Sequence, residues 1–509
     1  MKADIDRSRA SRLMAERGLD ALLLAKPESF RWATAAPPGV AAFFRRAGAA
    51  LALIPADAEA PVGAVCTELF GPATRAALGE RNVFTHPDWV ETADFRPWDD
   101  TSLNAAAITE RAHRAAGRAP GFSRPAAYDA SAAFAALARL LTARGLQRAR
   151  IGLDLDFWPA ADFAWLQRSL PGPRWSDAGE TVALIKAVKS AREIDCLQRA
   201  AALAESGMHE ALAAVAQGVH RNEIAAAWQA GVQQHAASTG WKLSGQWEYI
   251  TVGPLPWQGG GKITAGDVLK FDVGCLVDGY SSDSGRTFTL GKARPRAAQI
   301  MAALGDAFEA GLEQMRPGRL FSDVHAAATQ AMRGAGFSTF SRGHWGHSLG
   351  HDTFCEVPPF IAAEAHLPIE TGMVLAFETP FYADGEGGFI IEDQFLITDQ
   401  GAVPAWSLPR KLRELPLSPL QELAHDHRPP ECTACNRARS LVHWFSHGAE
   451  LARPPDPFAG SACCGQYRRH YFSRRRHRTV AHAGPAGGGR EQAWGRRHHR
   501  HGRGCTLGT

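Results

Sequence analysis

The stretch Gly266–Leu290, GDVLKFDVGCLVDGYSSDSGRTFTL, decides the fold of this chain. An apolar run, an Asp278-Gly279 dipeptide and a Ser/Thr-rich return read as a β-hairpin, because Asp-Gly supplies the positive φ angles of a two-residue turn. With those residues at the turn, Asp283 falls opposite Gly274. Asp272 is then its diagonal neighbour on the same face, since side chains alternate with period two. Two carboxylates on one face of an apolar strand pair repel each other and are costly to bury. A cation between them removes both difficulties. The alternative is that one of the two faces solvent.

Three further segments favour the cation. Gly343–Phe360, GHWGHSLGHDTFCEVPPF, is a glycine-punctuated strand and loop that carries His344, His347, His351 and Glu356. A lone histidine is usually a satisfied core or surface residue, but three within eight residues beside an acid point to a site. In Val374–Tyr382 (VLAFETPFY), Glu378 shares a face with Val374 and Ala376. In Phe389–Thr398 (FIIEDQFLIT), Glu392 shares a face with Ile390. Acids on apolar strand faces are unusual unless paired or metal-bound. Four carboxylates and one imidazole form a hard, oxygen-rich set suited to Mn2+ first, with Fe2+, Co2+ or Zn2+ as alternatives. Two such ions roughly 3.5–4 Å apart would activate a water and clamp an attacked carbonyl.

The 509 residues are enough for two or three domains, and 45% apolar with 21% charged residues is the composition of a globular protein. No apolar run approaches the roughly 18 residues that span a bilayer, so no membrane association is expected. The polar N-terminus lacks the apolar core of a signal peptide, which makes the cytoplasm the expected compartment. Residues 1–185 alternate helical and strand patterns: a helix over 4–17 stopped by Gly18, strands at 20–25, 49–55 and 150–155, and a helix over 130–144. They read as an α/β domain without a phosphate loop or nucleophile elbow. Ser190-x-x-Glu193 is a capping box opening a helix to about residue 216, with a second helix over 222–237. Strand 249–252, the hairpin, helices over 295–316 and 322–335 (the latter capped by Ser322) and the later strands make residues 186–415 an α+β domain.

From residue 416 onward the character changes. This segment has 15 Arg, no Lys and 6 acids, so it carries +9 of an overall +4 and leaves the first 415 residues at −5. A basic footprint for nucleic acid is therefore absent from the body. The segment also holds half of the histidines and five of nine cysteines; Cys432-x-x-Cys435 lacks regular zinc-site partners, and a disordered tail is expected. Cys66, Cys196, Cys275 and Cys355 are scattered as reduced core thiols.

The five residues Asp272, Asp283, His347, Glu378 and Glu392 resemble, in order and spacing, the ligand signature of the M24 metallopeptidase superfamily. Its members include Xaa-Pro aminopeptidases, prolidases, methionine aminopeptidases and creatinase. The motifs are the D-x(10)-D hairpin with Gly279-Tyr280 and Arg286-Thr287, Gly346-His347-x-x-Gly350, Gly372-Met373-Val374 with Glu378-x-Pro380, and Ile391-Glu392-Asp393. Residues 184–201, LIKAVKSAREIDCLQRAA, resemble the helix that opens the catalytic domain in the Xaa-Pro and creatinase branch. The resemblance implies a C-terminal pita-bread domain behind a creatinase-type α/β domain, with the N-terminal domain mediating a homodimer. It further implies that Asp283 and Glu392 bridge two metals, Asp272 holds one, His347 and Glu378 hold the other, and Glu378 shuttles a proton; catalysis then falls to Glu378 and His347. Tyr280 and Arg286 are expected around the hairpin carboxylates.

The substrate residues depart from that pattern. Members of the branch carry a histidine about ten residues before the hairpin, where this chain has Trp257 and Gln258. A second follows the ligand histidine by about seven residues, where Phe354 stands, and Ile390 replaces an Arg two residues before the last ligand. His344, His351, Glu356 and Trp257 remain as candidate substrate contacts. The leading expectation is cleavage of an Xaa-Pro bond in a short peptide. The alternatives are a creatinase-like or other small-amide hydrolase and a non-catalytic binding protein on the same fold.

Overall fold

The computed structural model describes residues 2–98, 103–257, 261–352 and 355–417. The extension from 418 onward, expected to be disordered, lies outside the described residues. Six strands form the first sheet: β1 (Ala21–Leu24), β2 (Leu51–Pro55), β3 (Gly63–Thr67), β4 (Val83–His86), β5 (Arg150–Leu153) and β6 (Arg174–Asp177), in the order β4-β3-β2-β1-β5-β6. β1 is central and buried throughout, which is why it reads as an uninterrupted ALLL. Its alternate side chains enter two cores: Leu22 and Leu24 meet Met14, Phe30 and Trp32, whereas Leu23 meets Phe134, Leu137 and Leu141.

Asp154, just past β5, ties this sheet to the next loop. Its buried carboxylate accepts from the Ala25 amide at 3.0 Å, the Lys26 amide at 2.9 Å and the Trp158 indole at 3.3 Å. Burial outweighs those donors and pushes its pKa up to about 6. A folded-state pKa above the unfolded value means the folded chain binds the extra proton, so stability is lost as pH rises from about 4 through 6. The shift corresponds to about 3 kcal/mol. In urea titrations at stepped pH, Asp154→Asn is expected to remove that slope, so that its stability gains on wild type between pH 4 and 7. Parallel curves for the two proteins would refute the assignment.

Residues 243–415 build the second sheet. Its strands are β7 (Leu243–Glu248), β8 (Thr251–Val252), β9 (Val268–Val277), β10 (Tyr280–Ser281), β11 (Ser284–Leu290), β12 (His344–Ser348), β13 (Val357–Ala362) and β14 (Val374–Glu378). After a separate small hairpin of β15 (Phe381–Ala383) and β16 (Gly387–Phe389) come β17 (Glu392–Thr398), β18 (Gly401–Pro404) and β19 (Arg413–Leu415). The central order is β10-β9-β11-β17-β14-β12-β13, with β7 and β8 on β9, β18 on β17 and β19 on β11. Helices Ala191–Ala214 and Arg221–Thr239 pack on one core with Phe271 and Tyr280; helices Pro295–Leu312 and Phe321–Gly334 pack on another with Phe377 and Phe395. The fold is α+β with an α/β N-terminal part.

The capping box forms as read: Ser190 Oγ accepts from the Glu193 amide at 3.2 Å, and Glu193 Oε2 from the Ser190 amide at 2.8 Å. Ser322, expected to cap the fourth of these helices, lies inside it. The Leu320 amide donates to Asp323 Oδ2 at 3.0 Å, which starts the helix at the wholly buried Phe321. Two expected strands are broken. Val374–Tyr382 stops at Glu378 because Pro380 has no amide for the ladder. Ile390 and Ile391 separate β16 from β17, so Ile390 does not share a strand with Glu392. The strand expected over 249–252 is only Thr251–Val252; Tyr249 breaks from β7, its amide donating to the Asp272 carbonyl at 2.7 Å.

Candidate metal centre

Strand pairing assembles the site. Asp272 on β9 pairs with Gly285 on β11, Gly285 with Glu392 on β17, and Glu392 with Glu378 on β14. Directly opposed residues of antiparallel strands project to one face. A single row across four strands therefore carries three carboxylates with a glycine between two of them. His347 pairs with Ala376, two residues from Glu378, and joins the same face. Asp278 and Gly279 both have positive φ, 51° and 86°, as a two-residue turn of this type requires. Tyr280 pairs with Val277 and Ser284 with Val273, one unbroken register that sets Asp283 opposite Gly274. Two glycines permit this closeness. A Cβ on Gly274 would lie 2.3 Å from the Ser282 carbonyl oxygen, and one on Gly346, at φ 147°, 2.1 Å from the Ala376 oxygen.

Asp283, His347 and Glu392 are all buried, and each offers one atom to a group in which all three lie within 4.8 Å of one another. Among the described residues Asp283 Oδ1, which is buried, has no hydrogen-bond partner, and Oδ2 is 3.5 Å from His347 Nε2. His347 Nδ1 is 3.0 Å from the Ser348 carbonyl. A carbonyl there can only accept, so Nδ1 carries the proton and Nε2 presents its lone pair to the acids. Burial, with Asp272 and Glu378 close by, pushes the Asp283 carboxyl well above its ordinary range; Glu392 is raised likewise by burial and by Asp283. An orphaned carboxylate oxygen, raised carboxyls and an outward imidazole lone pair are what a divalent cation satisfies.

The other two acids are held differently. Asp272 Oδ2 accepts from Lys270 Nζ at 2.9 Å, and Glu378 Oε1 accepts from Arg342 Nη2 at 2.8 Å. Burial would raise the Glu378 carboxyl, but Arg342, His347 and His344 together leave it lowered. The Cys355 thiol lies beside Asp283, and burial next to Asp283 and Glu356 pushes it up. Sequence reasoning missed Lys270, Arg342 and Cys355. Lys270 was findable: it interrupts an apolar strand two residues before Asp272 and so shares its face.

The candidate substrate residues divide into two places. His344 is at the centre, Nδ1 3.8 Å from Glu378 Oε1 and Nε2 3.7 Å from Glu356 Oε2, and burial lowers its pKa to about 4. Trp257 is 62% exposed and stacks on Tyr382 with ring centroids 4.1 Å apart. Tyr382 in turn lies 5.7 Å from Lys270 Nζ, which places this aromatic pair beside Asp272. His351 is elsewhere: its ring abuts Tyr280 and Gly279 at the hairpin turn, among Lys186, Arg31 and Asp352. Tyr280 does not reach the hairpin carboxylates either. Its hydroxyl donates to Asp4 Oδ2 at 2.8 Å, because the first residues of the chain fold against the turn. Arg286 reaches the Glu392 carbonyl rather than a carboxylate of the hairpin. Gln258 and Phe354 lie outside the described residues.

The model of metallopeptidase family M24 matches residues 195–399. YkvY of Bacillus subtilis, of the dipeptidase type by name, is 30% identical over 256 residues, 48% of this chain and 68% of that protein. The chain belongs to metallopeptidase family M24. PepE of Mycobacterium tuberculosis is 33% identical over a shorter 158 residues, 31% of this chain and 42% of PepE. An Xaa-Pro dipeptidase from Bacillus anthracis superposes with a TM-score of 0.62 at 18% identity, over 80% of this chain and 99% of that one, a likeness of fold. Family M24 membership makes the chain a peptidase that works with divalent metal ions, and gives the second sheet and its helices the pita-bread architecture. Among the described residues no helix is long and apolar enough to cross a membrane.

Proposed function

We propose that this M24 peptidase is an Xaa-Pro dipeptidase, with Asp272, Asp283, His347, Glu378 and Glu392 holding divalent ions, Mn2+ first among them. The observation that carries the reading is the row of carboxylates across β9, β11, β17 and β14, with His347 on the same face and Asp283 Oδ1 without a hydrogen-bond partner among the described residues. When bound by these residues, divalent ions would supply a lowered water pKa and polarisation of the scissile carbonyl. Glu378, whose carboxyl Arg342 helps to keep ionised, would serve as the group that accepts a proton from the attacking water and returns it to the leaving nitrogen. His344 and Glu356 line one side of the substrate and the Trp257–Tyr382 stack the other, where a proline ring fits a flat aromatic wall. Residues 1–185 and 186–415 act as two domains, the first joining two copies as a cytoplasmic homodimer.

The test is a panel of Xaa-Pro dipeptides and matched Xaa-Ala dipeptides given to the Mn2+-supplemented protein. Cleavage of the proline set at least about ten-fold faster is expected, since one well-filled apolar pocket discriminates by that order. Equal rates, or no cleavage of either set, would overturn the proline reading. The second outcome would favour a non-peptide amide, a reading that the exposed Trp257 in place of a substrate histidine supports.

A further inference from the structure

The centre already contains two cations of its own. Four carboxylates, Asp272, Asp283, Glu378 and Glu392, share one face with His347. Lys270 Nζ sits 2.9 Å from Asp272 and Arg342 Nη2 sits 2.8 Å from Glu378. Lys270 is 3% exposed and wedged: its Cδ lies 3.3 Å from where a Cβ on Gly388 would stand, and the Tyr382 ring is 5.7 Å from its Nζ. Among the described residues no lysine or arginine forms an ion pair with the carboxylate of Asp283 or Glu392; the imidazole of His347 is grouped with both.

Charge neutrality then favours one ion. Four negative charges less two fixed positive ones leave two, and one divalent ion cancels them. A second ion would leave a buried excess of positive charge, which a site withdrawn from water tolerates poorly. The two arrangements differ in place as well as number. Asp283, His347 and Glu392 converge with no cation of the chain in the way, whereas Asp272 must first give up Lys270.

We propose that Lys270 is a resident counter-ion standing in for one metal charge, so that one divalent ion binds tightly at Asp283, His347 and Glu392 and a second binds only weakly. This rests on reading the centre as a metal site. Arg342 contributes in the same sense from the Glu378 side, and Lys270 is a positioning residue that sets occupancy.

The full chain, stripped with chelator and dialysed against stepped free Mn2+, tests it by elemental analysis and electron paramagnetic resonance. Wild type is expected to hold one Mn2+ per chain with the six-line signal of an isolated ion, and to take a second only at about 100-fold higher free Mn2+, the upper range of a coupling between neighbouring sites. Lys270→Met keeps the stem and drops the charge; it should bind the second ion within about ten-fold of the first and show the spin-coupled signal of a pair. Lys270→Arg should restore single occupancy. If Lys270→Met does not fold, Arg342→Gln, at the edge of the site, tests the same charge count. Two ions of equal affinity in wild type, or unchanged stoichiometry in both neutral variants, would overturn the inference while leaving the metal site intact. A wild-type protein that binds no Mn2+ would overturn both.

Discussion

Asp283→Ala is expected to lower Mn2+ affinity by at least about 100-fold and to take peptide hydrolysis to background, because loss of a mere outer partner of a metal ligand already costs 10–100-fold. Asp283 lies inside that outer layer: among the described residues its Oδ1 has no hydrogen-bond partner, and its Oδ2 faces His347. The variant has a second, opposite effect. The folded carboxyl is raised well above its unfolded value by burial, Asp272 and Glu378. Its ionisation near neutral pH therefore works against the metal-free fold, and that cost grows as pH rises above the unfolded pKa. Metal-free Asp283→Ala is accordingly expected to melt above metal-free wild type at neutral pH. With Mn2+ the order reverses, since only wild type gains stability by mass action from a bound ion. Melting curves with and without Mn2+ read both effects. A variant that kept its Mn2+-dependent rise in melting temperature, or full activity, would show that Asp283 is not a ligand.

The hairpin register was legible because two constraints agree on it. Asp278-Gly279 can only be the turn, and the apolar set of β9 must face the helices Ala191–Ala214 and Arg221–Thr239. Glu378 was legible for a related reason, standing on a face with Val374 and Ala376; Ile390, the residue that drew attention to Glu392, lies outside β17. What pairs with these acids was harder to see. Arg342 lies in a loop 36 residues from Glu378, and no periodicity links a loop residue to a strand. Tyr280 and His351 illustrate the limit from the other side. Both belong to motifs rich in site residues, yet both are turned toward residues from the first part of the chain, Asp4 and Arg31 among them. A contact between segments about 276 residues apart leaves no local trace in either. The breaks after Glu378 and before Glu392 were missed because apolar side chains continue through them. The ladder runs one pair past Glu378, the Thr379 amide donating to the Ile391 carbonyl at 2.8 Å, and Pro380, with no amide, ends it.

Arg286→Met is expected to destabilise the fold by about 3–5 kcal/mol, the usual loss when one partner of a buried ion pair is removed. The guanidinium is 2% exposed and uses every edge of its fork. Nη2 donates to Asp393 Oδ1 at 2.6 Å and to the Leu408 carbonyl at 2.8 Å, Nη1 to the Glu392 carbonyl at 2.6 Å, and Nε to the Pro409 carbonyl at 3.1 Å. Its flat face lies 5.3 Å from the Trp406 ring, and the Trp406 indole donates to the Ala201 carbonyl at 2.9 Å. One side chain thus fastens the hairpin to β17, to the segment after β18 and to the helix Ala191–Ala214. Asp393 would keep Arg410, at 2.6 Å, so its own charge is not stranded. The carbonyls of Gly285, Glu392, Leu408 and Pro409 lose their guanidinium donor, and that loss is where most of the destabilisation arises. Arg286→Lys keeps the charge without the planar fork, so it should recover part of the stability and not all of it. The carbonyl of Glu392 is among those released, and its side chain is a proposed ligand. Mn2+ affinity should therefore fall about 10–100-fold in Arg286→Met, the range for a residue that orients a ligand without touching the ion. Denaturant titration of the metal-free protein isolates the first effect and Mn2+ titration at low denaturant the second. Loss of stability with unchanged Mn2+ affinity would mean that Glu392 is held by the strand alone and that Arg286 has no part in shaping the metal centre.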